Sequence, residues 1–442
     1  ATVASVALLT TSVLADIPKC GPGSPCPESA PCCSQYGQCG VGAYCLGGCD
    51  PLFSHSMEAC VPNPACKSAD YQFKSLSDVA SISKYLGDPS KANWVSSGNP
   101  AAYGDSILLT MAPDTVGTLM ATTKYVWYGK ISATMTTSQG AGVVTAFIMM
   151  SDVKDEIDFE FVGVDLDHAQ SNFYSQGVTN YNNGKNLTVT NTVENVHTYT
   201  IDWQPDHLDW IVDGKILRTL KRQDTWNSTS NRFDYPQTPS RVMLSLWPAG
   251  LPSNGEGTIK WSGGLVDWNS PLMQNGYYYA MVKSVNVECY DPPSGAQIQG
   301  SKAYIYTDEA ATNNTVQMVD KVVVLKSLYA SGENPDFDPN ASASGSSPSS
   351  TPSLSAETVP GVVGAGERSG EDSSGGSGST NSDPSGNTQS GDSSGSSGTG
   401  SGGSTGFSQG GSSAGGNSGA SSDKMVKGSV FAVVVAAIAL LA

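Results

Sequence analysis

Between residues 67 and about 300 the hydrophobic positions fall in runs of strand length, separated by Gly, Asn and Asp. Val143-Val144-Thr145-Ala146-Phe147-Ile148, Tyr199-Thr200-Ile201-Asp202-Trp203 and Leu208-Asp209-Trp210-Ile211-Val212 are examples. Asp213-Gly214 separates the last of these from Lys215-Ile216-Leu217-Arg218, which predicts a tight hairpin. Regular short strands with turns predict an all-β fold, a sandwich or jelly roll. The segment is long enough to bury a sizeable core. Residues 301–339 are ambiguous, because Val322-Val323-Val324-Leu325 fits a strand or part of a short helix.

The two ends have other patterns. The apolar run Val3-Ala4-Ser5-Val6-Ala7-Leu8-Leu9 leads to Val13-Leu14-Ala15, so residues 1–15 read as a partial signal peptide with Asp16 as the mature start. A buried N-terminal strand is the other reading. Residues 340–419 are dominated by Ser, Gly and Thr, a composition that buries too little apolar surface to offset chain entropy. It predicts a disordered, O-glycosylated stalk. Residues 420–442 hold Asp423, Lys424 and Lys427 and then the apolar Val430 to Ala442, too short for a bilayer, which needs about 20 residues. With the small residues at Asn417-Ser418-Gly419 this is the pattern of a glycosylphosphatidylinositol signal, with attachment expected at Asn417 and membrane association through the lipid. A plain hydrophobic C-terminus is the alternative. Both signals predict a secreted protein held at the plasma membrane and cell wall.

Composition narrows the partners. The 442 residues carry 23 Lys and Arg against 40 Asp and Glu, a net charge of −17. That balance excludes the cationic surplus with which nucleic-acid binders neutralise phosphates. Nine of the ten cysteines lie between Cys20 and Cys66. A segment this small has no core of its own, so residues 16–66 are expected to be held by disulfides. Cys289 lies far downstream, with Cys66 or Cys49 as its candidate partner. The order Cys32-Cys33-Ser34-Gln35-Tyr36-Gly37-Gln38-Cys39-Gly40, with Tyr44-Cys45, resembles hevein-type chitin-binding modules, carbohydrate-binding module family 18. The resemblance implies stacking of sugar rings on Tyr36 and Tyr44 and a hydrogen bond from Ser34. Gln38 stands where that pattern has a second aromatic residue, which implies weak chitin binding. A disulfide knot acting only as a spacer is the competing reading.

The densest chemistry lies in Asp155-Glu156-Ile157-Asp158-Phe159-Glu160-Phe161-Val162-Gly163. On a strand, Glu156, Asp158 and Glu160 share one face and Ile157, Phe159 and Phe161 the other. Three adjacent carboxylates repel one another and raise at least one pKa, as a glycosidase acid requires. A merely solvated acidic face has the same alternation. The string itself resembles the signature of glycoside hydrolase family 16. So do His197-Thr198-Tyr199-Thr200-Ile201-Asp202-Trp203, Trp210-Ile211-Val212-Asp213-Gly214 and Ser245-Leu246-Trp247.

That resemblance covers about residues 67–290 and implies a concave β-jelly-roll over 67–300, followed by a C-terminal extension at 301–339. With the cysteine module and the anchor signal, the whole chain resembles the fungal Crh cell-wall transglycosylases. The family implies Glu156 as nucleophile, Glu160 as general acid and then base, and Asp158 as the residue tuning Glu156. It implies substrate contacts by Trp247 and Thr258, with Met243 on the same strand face as Trp247, and weaker candidates in Gln176 and Asn180. The implied reaction is retaining cleavage of chitin and transfer to β-glucan or chitin, by a monomer with no cofactor. An endo-acting hydrolase and a non-catalytic wall lectin are the rival readings. Retention requires carboxyls about 5–5.5 Å apart. Residues i and i+4 on a flat strand are about 13 Å apart at Cα, so the side chains must lean together on a curved strand.

Overall fold

The computed structural model describes residues 17–341, apart from residue 179. The signal segment, Asn417 and most of the Ser/Gly-rich stretch lie outside the described residues. Two eight-stranded sheets face each other. The first runs in the order Lys185–Thr188, His168–Tyr174, Glu156–Val162, Val143–Ser151, Ser240–Pro248, Thr118–Thr122, Trp94–Ser97, Val79–Ser81. The second contains Lys215–Lys221, His207–Val212, His197–Trp203, Gly129–Met135, Tyr278–Cys289, Ser106–Met111 and Ala101–Tyr103, with Ala69–Gln72 added alongside Tyr278–Cys289. This is the all-β sandwich expected from the strand spacing.

The core forms because each strand sends alternate side chains between the sheets. Phe147, Phe159 and Phe161 from the first sheet meet Tyr199, Ile201, Trp203 and Trp210 from the second. Phe159 is fully buried between Phe147 and Phe161, with ring centroids 6.2 and 6.4 Å away. Burying one such ring contributes about 2–3 kcal/mol. Trp203 and Trp210 also satisfy their N–H groups, donating to the carbonyls of Pro236 and Asp158. The predicted hairpin is present, with both Asp213 (φ 50°) and Gly214 (φ 78°) in the left-handed region that a two-residue turn of this hand requires.

Asp155, the first acid of the acidic stretch, is a structural residue. It accepts from the backbone N–H groups of Gln176, Gln237 and Thr238 and from the Thr238 hydroxyl. These bonds fix the entry to the acidic strand.

All ten cysteines are paired: Cys20–Cys33, Cys26–Cys39, Cys32–Cys45, Cys49–Cys60 and Cys66–Cys289. The first four knit the module. Cys66, the last cysteine of the cluster, fastens the start of the sandwich to its last long strand, across 223 residues of sequence. The C-terminal extension supplies Ala303–Tyr306 and Val316–Val319 to a four-stranded sheet with Asn63–Pro64 and Gln297–Ile298. The run 322–325 is neither strand nor helix; it crosses the surface as irregular chain that buries Leu325 against the module.

Replacing Cys66 and Cys289 together by serine is expected to cost about 2–5 kcal/mol in equilibrium unfolding, because the bridge closes a very long loop of the unfolded chain. Urea denaturation of the two proteins measures the difference.

Candidate active site

The acidic strand pairs in regular register with both neighbours, so its side chains can be followed in rows across the sheet. One row reads Tyr174, Glu156, Met150, Arg241. The next reads Asn172, Asp158, Ile148, Met243, Ala121, Val95. The third reads Gln170, Glu160, Ala146, Ser245, Leu119, Ser97. Val144 and Trp247 pair in the next row, on the same face. Beside the acids, the apolar members of these rows form a cluster separate from the core: Leu119, Ala121, Val144, Ala146, Ile148, Met150, Met243 and Trp247, joined by Trp261. The three carboxylates therefore stand at the edge of an apolar face rather than on a solvated one.

That setting explains their chemistry. Glu156, Asp158 and Glu160 are 5%, 0% and 2% exposed. Burial raises all three pKa values, Asp158 to about 7, and mutual repulsion raises the two glutamates further. Asp158 acts on both glutamates, and Glu160 acts on Glu156, so the three carboxyls form one electrostatic unit. As ionised groups Asp158 and Glu156 are both acceptors, and neither Asp158 oxygen has a donor among the described residues. Once one of them holds a proton, the contact becomes a hydrogen bond that favours ionisation of Asp158 and protonation of Glu156. The physical consequence is proton sharing within the row.

The same face carries other buried polar atoms without a partner among the described residues: Glu156 Oε1, Glu160 Oε1, Ser245 Oγ, Trp247 Nε1 and Arg241 Nε. Buried polar groups are ordinarily satisfied. A line of exceptions along one face is what a hydroxyl-rich ligand would complete. Trp247 and Trp261 stack with centroids 6.2 Å apart, and Trp261 donates its N–H to Gln170 Oε1 at 2.9 Å. The short helix Glu256–Trp261 carries Trp261, and Thr258, buried one turn earlier, lies on the same side of it. Tyr174 is held as a neutral phenol by burial and by the carboxylates, and its oxygen accepts from Asn172 Nδ2 at 2.7 Å.

Of the residues expected from sequence, Glu156, Asp158, Glu160, Met243 and Trp247 share this face. Gln176 and Asn180 do not. Gln176 spends its amide on the carbonyls of Ala310 and Ala311 and accepts from Arg232, tying the strand end to the C-terminal extension. Asn180 is exposed and caps the short turn Tyr181–Asn183 by accepting from the Asn182 N–H. Ser34, Tyr36 and Tyr44 are 5%, 4% and 6% exposed, so the expected open stacking platform of the cysteine module is covered. Sequence reading missed Arg241 and Gln170, and left Trp261 open between a cleft residue and a core aromatic. Arg241 was one step along the alternation Met243, Ser245, Trp247. The pairing of Trp261 with Gln170 crosses 91 residues and has no local signal.

The sequence pattern of glycosyl hydrolases family 16 matches residues 88–263. Crh-like protein 3 of Botryotinia fuckeliana is 56% identical over 316 residues, 71% of each chain. Crh-like protein 2 of Aspergillus fumigatus is 52% identical, over 85% of each chain. The chain belongs to the Crh-like proteins of glycosyl hydrolase family 16. A solved structure of the Crh5 transglycosylase in complex with NAG is 30% identical, with a TM-score of 0.50, over 61% of this chain and 99% of that one. The Crh-like relationship thus extends from sequence to the sandwich that carries the acidic row.

Because its carboxyl pKa is higher folded than unfolded, Asp158 contributes stability that is complete below about pH 4, the unfolded carboxylate range. That contribution is lost as pH rises through about 7. Asp158→Asn is expected to flatten the fall in unfolding free energy between about pH 5 and pH 8 by up to a few kcal/mol. Denaturant titrations at the two pH values check this; an unchanged slope contradicts it.

Proposed function

We propose that the acidic row performs double-displacement transglycosylation on a β-linked wall polysaccharide. Glu156 attacks the anomeric carbon, and Glu160 protonates the departing glycosidic oxygen. A covalent glycosyl-enzyme forms with inversion. An acceptor hydroxyl then loses its proton to Glu160 and attacks the same carbon, restoring the original configuration and freeing Glu156. Asp158 is the positioning residue: its proton exchange with Glu156 sets the charge on the nucleophile.

The observation that carries this reading is the set of three buried carboxylates on one face of a single strand, beside stacked tryptophans. A lectin gains nothing from acids that burial and repulsion force to hold protons. Burial and the neighbouring Asp158 raise the Glu160 pKa well above the usual carboxylate range, which favours the protonated acid that the first step needs. For Glu156 the same burial is unfavourable in the resting state. A developing positive charge on the sugar ring would relieve it, because the carboxylate is then paired in a site of low dielectric.

Trp247 and Trp261 offer flat faces for pyranose rings, with Thr258 and Met243 completing the substrate contacts. The solved Crh5 transglycosylase in complex with NAG supports a donor built of N-acetylglucosamine, that is, chitin. The acceptor, β-glucan or chitin of the fungal wall, is what the resemblance to Crh transglycosylases implies. Attachment through a lipid anchor at Asn417 belongs to the same proposal, and residues outside the described part carry it.

Incubation with chitin oligomers and a labelled glucan oligomer is expected to yield label joined to chitin; shortened oligomers alone would identify a hydrolase, and unchanged oligomers a binder. Glu156→Gln is expected to abolish turnover. Glu160→Gln is expected to lower kcat by about 10²–10⁴-fold and to remove the alkaline limb of the pH profile, where Glu160 loses its proton. A retained alkaline limb assigns the acid elsewhere.

A further inference from the structure

The cysteine module is seated on the sheet that carries the acidic row. Ser34, Gln35, Tyr36, Tyr44, Gly47 and Gly48 enclose one cavity together with Val95, Ser97, Leu119, Ala121 and Arg241. Those sheet residues are the far members of the rows that begin at Glu156, Asp158 and Glu160. The cavity is about 30 Å³, room for water and not for a sugar ring. From the acidic strand to the Thr118–Thr122 strand there are three strand spacings, about 14 Å. A saccharide crossing the strands from the acids in that direction therefore meets the module after a few rings.

The module is locked in this position from both sides. Gly48 N–H donates to Asp152 Oδ1 at 2.9 Å and to Tyr125 Oη at 3.1 Å. Arg241 Nη2 donates to Gln35 Oε1 at 3.2 Å. A side chain at Gly47 would run into the Arg241 guanidinium. On the opposite side the C-terminal extension straps the module down: Gly42 N–H donates to the Ala330 carbonyl, and Gly332 N–H to the Ala59 carbonyl. Gly42, at φ +63°, lies so close to the Leu328 carbonyl that no side chain fits. Leu325 and Ala330 complete one apolar cluster with Tyr36, Tyr44 and Leu46.

We propose that the module is a fixed end-stop for a saccharide lying across the strands from the acids, and not a separate chitin anchor. The face that the hevein-type resemblance assigns to chitin is here turned toward the enzyme's own sheet, where Tyr36, Tyr44 and Gln35 line one cavity with Leu119, Ala121 and Arg241. The consequence is a limit on the length of chain held on that side of Glu156 and Glu160, and one carbohydrate site per chain. The proposal rests on the acidic row being the catalytic centre, and its test separates the two: Glu156→Gln retaining turnover defeats the catalytic reading, whereas the measurements below concern binding alone.

The experiment uses the Glu156→Gln protein, titrated with N-acetylglucosamine oligomers of increasing length and followed by calorimetry and amide hydrogen exchange. The expected result is one site, with new protection in Glu156–Val162 and Ser240–Pro248, and no change over residues 34–44 for the dimer. Affinity rises with oligomer length and then stays level. A second site, or protection of residues 34–44 by the dimer, overturns the proposal. Tyr36→Ala, in the same background, is expected to move the level region to longer oligomers while leaving dimer affinity within about twofold. An unmoved length limit in a folded Tyr36→Ala protein also overturns it. Where that variant does not fold, the exchange pattern of the unaltered module decides the question.

Discussion

Three carboxyl groups packed side by side on the face of one strand are an electrostatic problem that the rest of the molecule is organised around. Each would ionise readily in water. Their burial at the edge of an apolar face makes ionisation of all three together unfavourable, and repulsion compounds the effect. Such a row survives only because the opposite face of the strand is anchored firmly: Ile157, Phe159 and Phe161 are fully or almost fully buried in the main core. The core thus holds in place a feature that by itself destabilises the fold. This is the usual relation between a functional site and its scaffold.

The sandwich answers a second requirement, that of reach. Regular antiparallel register from His168–Tyr174 to Trp94–Ser97 turns a sequence alternation into rows that run across as many as six strands. The acids, the Trp247 indole and the buried Arg241 fall on the same side because the side-chain period of a strand is two and these pairings run without a register shift. Asp152 and Asp155, also buried, do different work. They accept hydrogen bonds from the module and from the Gln237–Thr238 segment, and so fix the ends of the two central strands.

Much of this was legible in the sequence because the information is local. Alternation over Glu156–Val162 placed the acids on one face, Asp213-Gly214 marked its hairpin, and the spacing of Met243, Ser245 and Trp247 put them together. What sequence could not supply is long-range. Tyr36 and Tyr44 read as an open platform, but their covering comes from strands and a C-terminal extension that lie far along the chain. Gln176 and Asn180 follow the strand next to the acids, yet a turn with Gln176 at φ 50° redirects them to structural bonds. The run 322–325 has strand composition, but it joins no strand: Leu325 N–H donates to the Leu86 carbonyl, and its side chain enters the apolar cluster shared by the module and Tyr85.

The most direct test of the account is to locate the covalent intermediate. An activated chito-oligosaccharide with a slowly transferred glycosyl group, reacted with the Glu160→Gln protein, is expected to leave a stable adduct on Glu156, found by peptide mass spectrometry. An adduct on Asp158 or on any residue outside the acidic strand, or turnover without any covalent species, would contradict it.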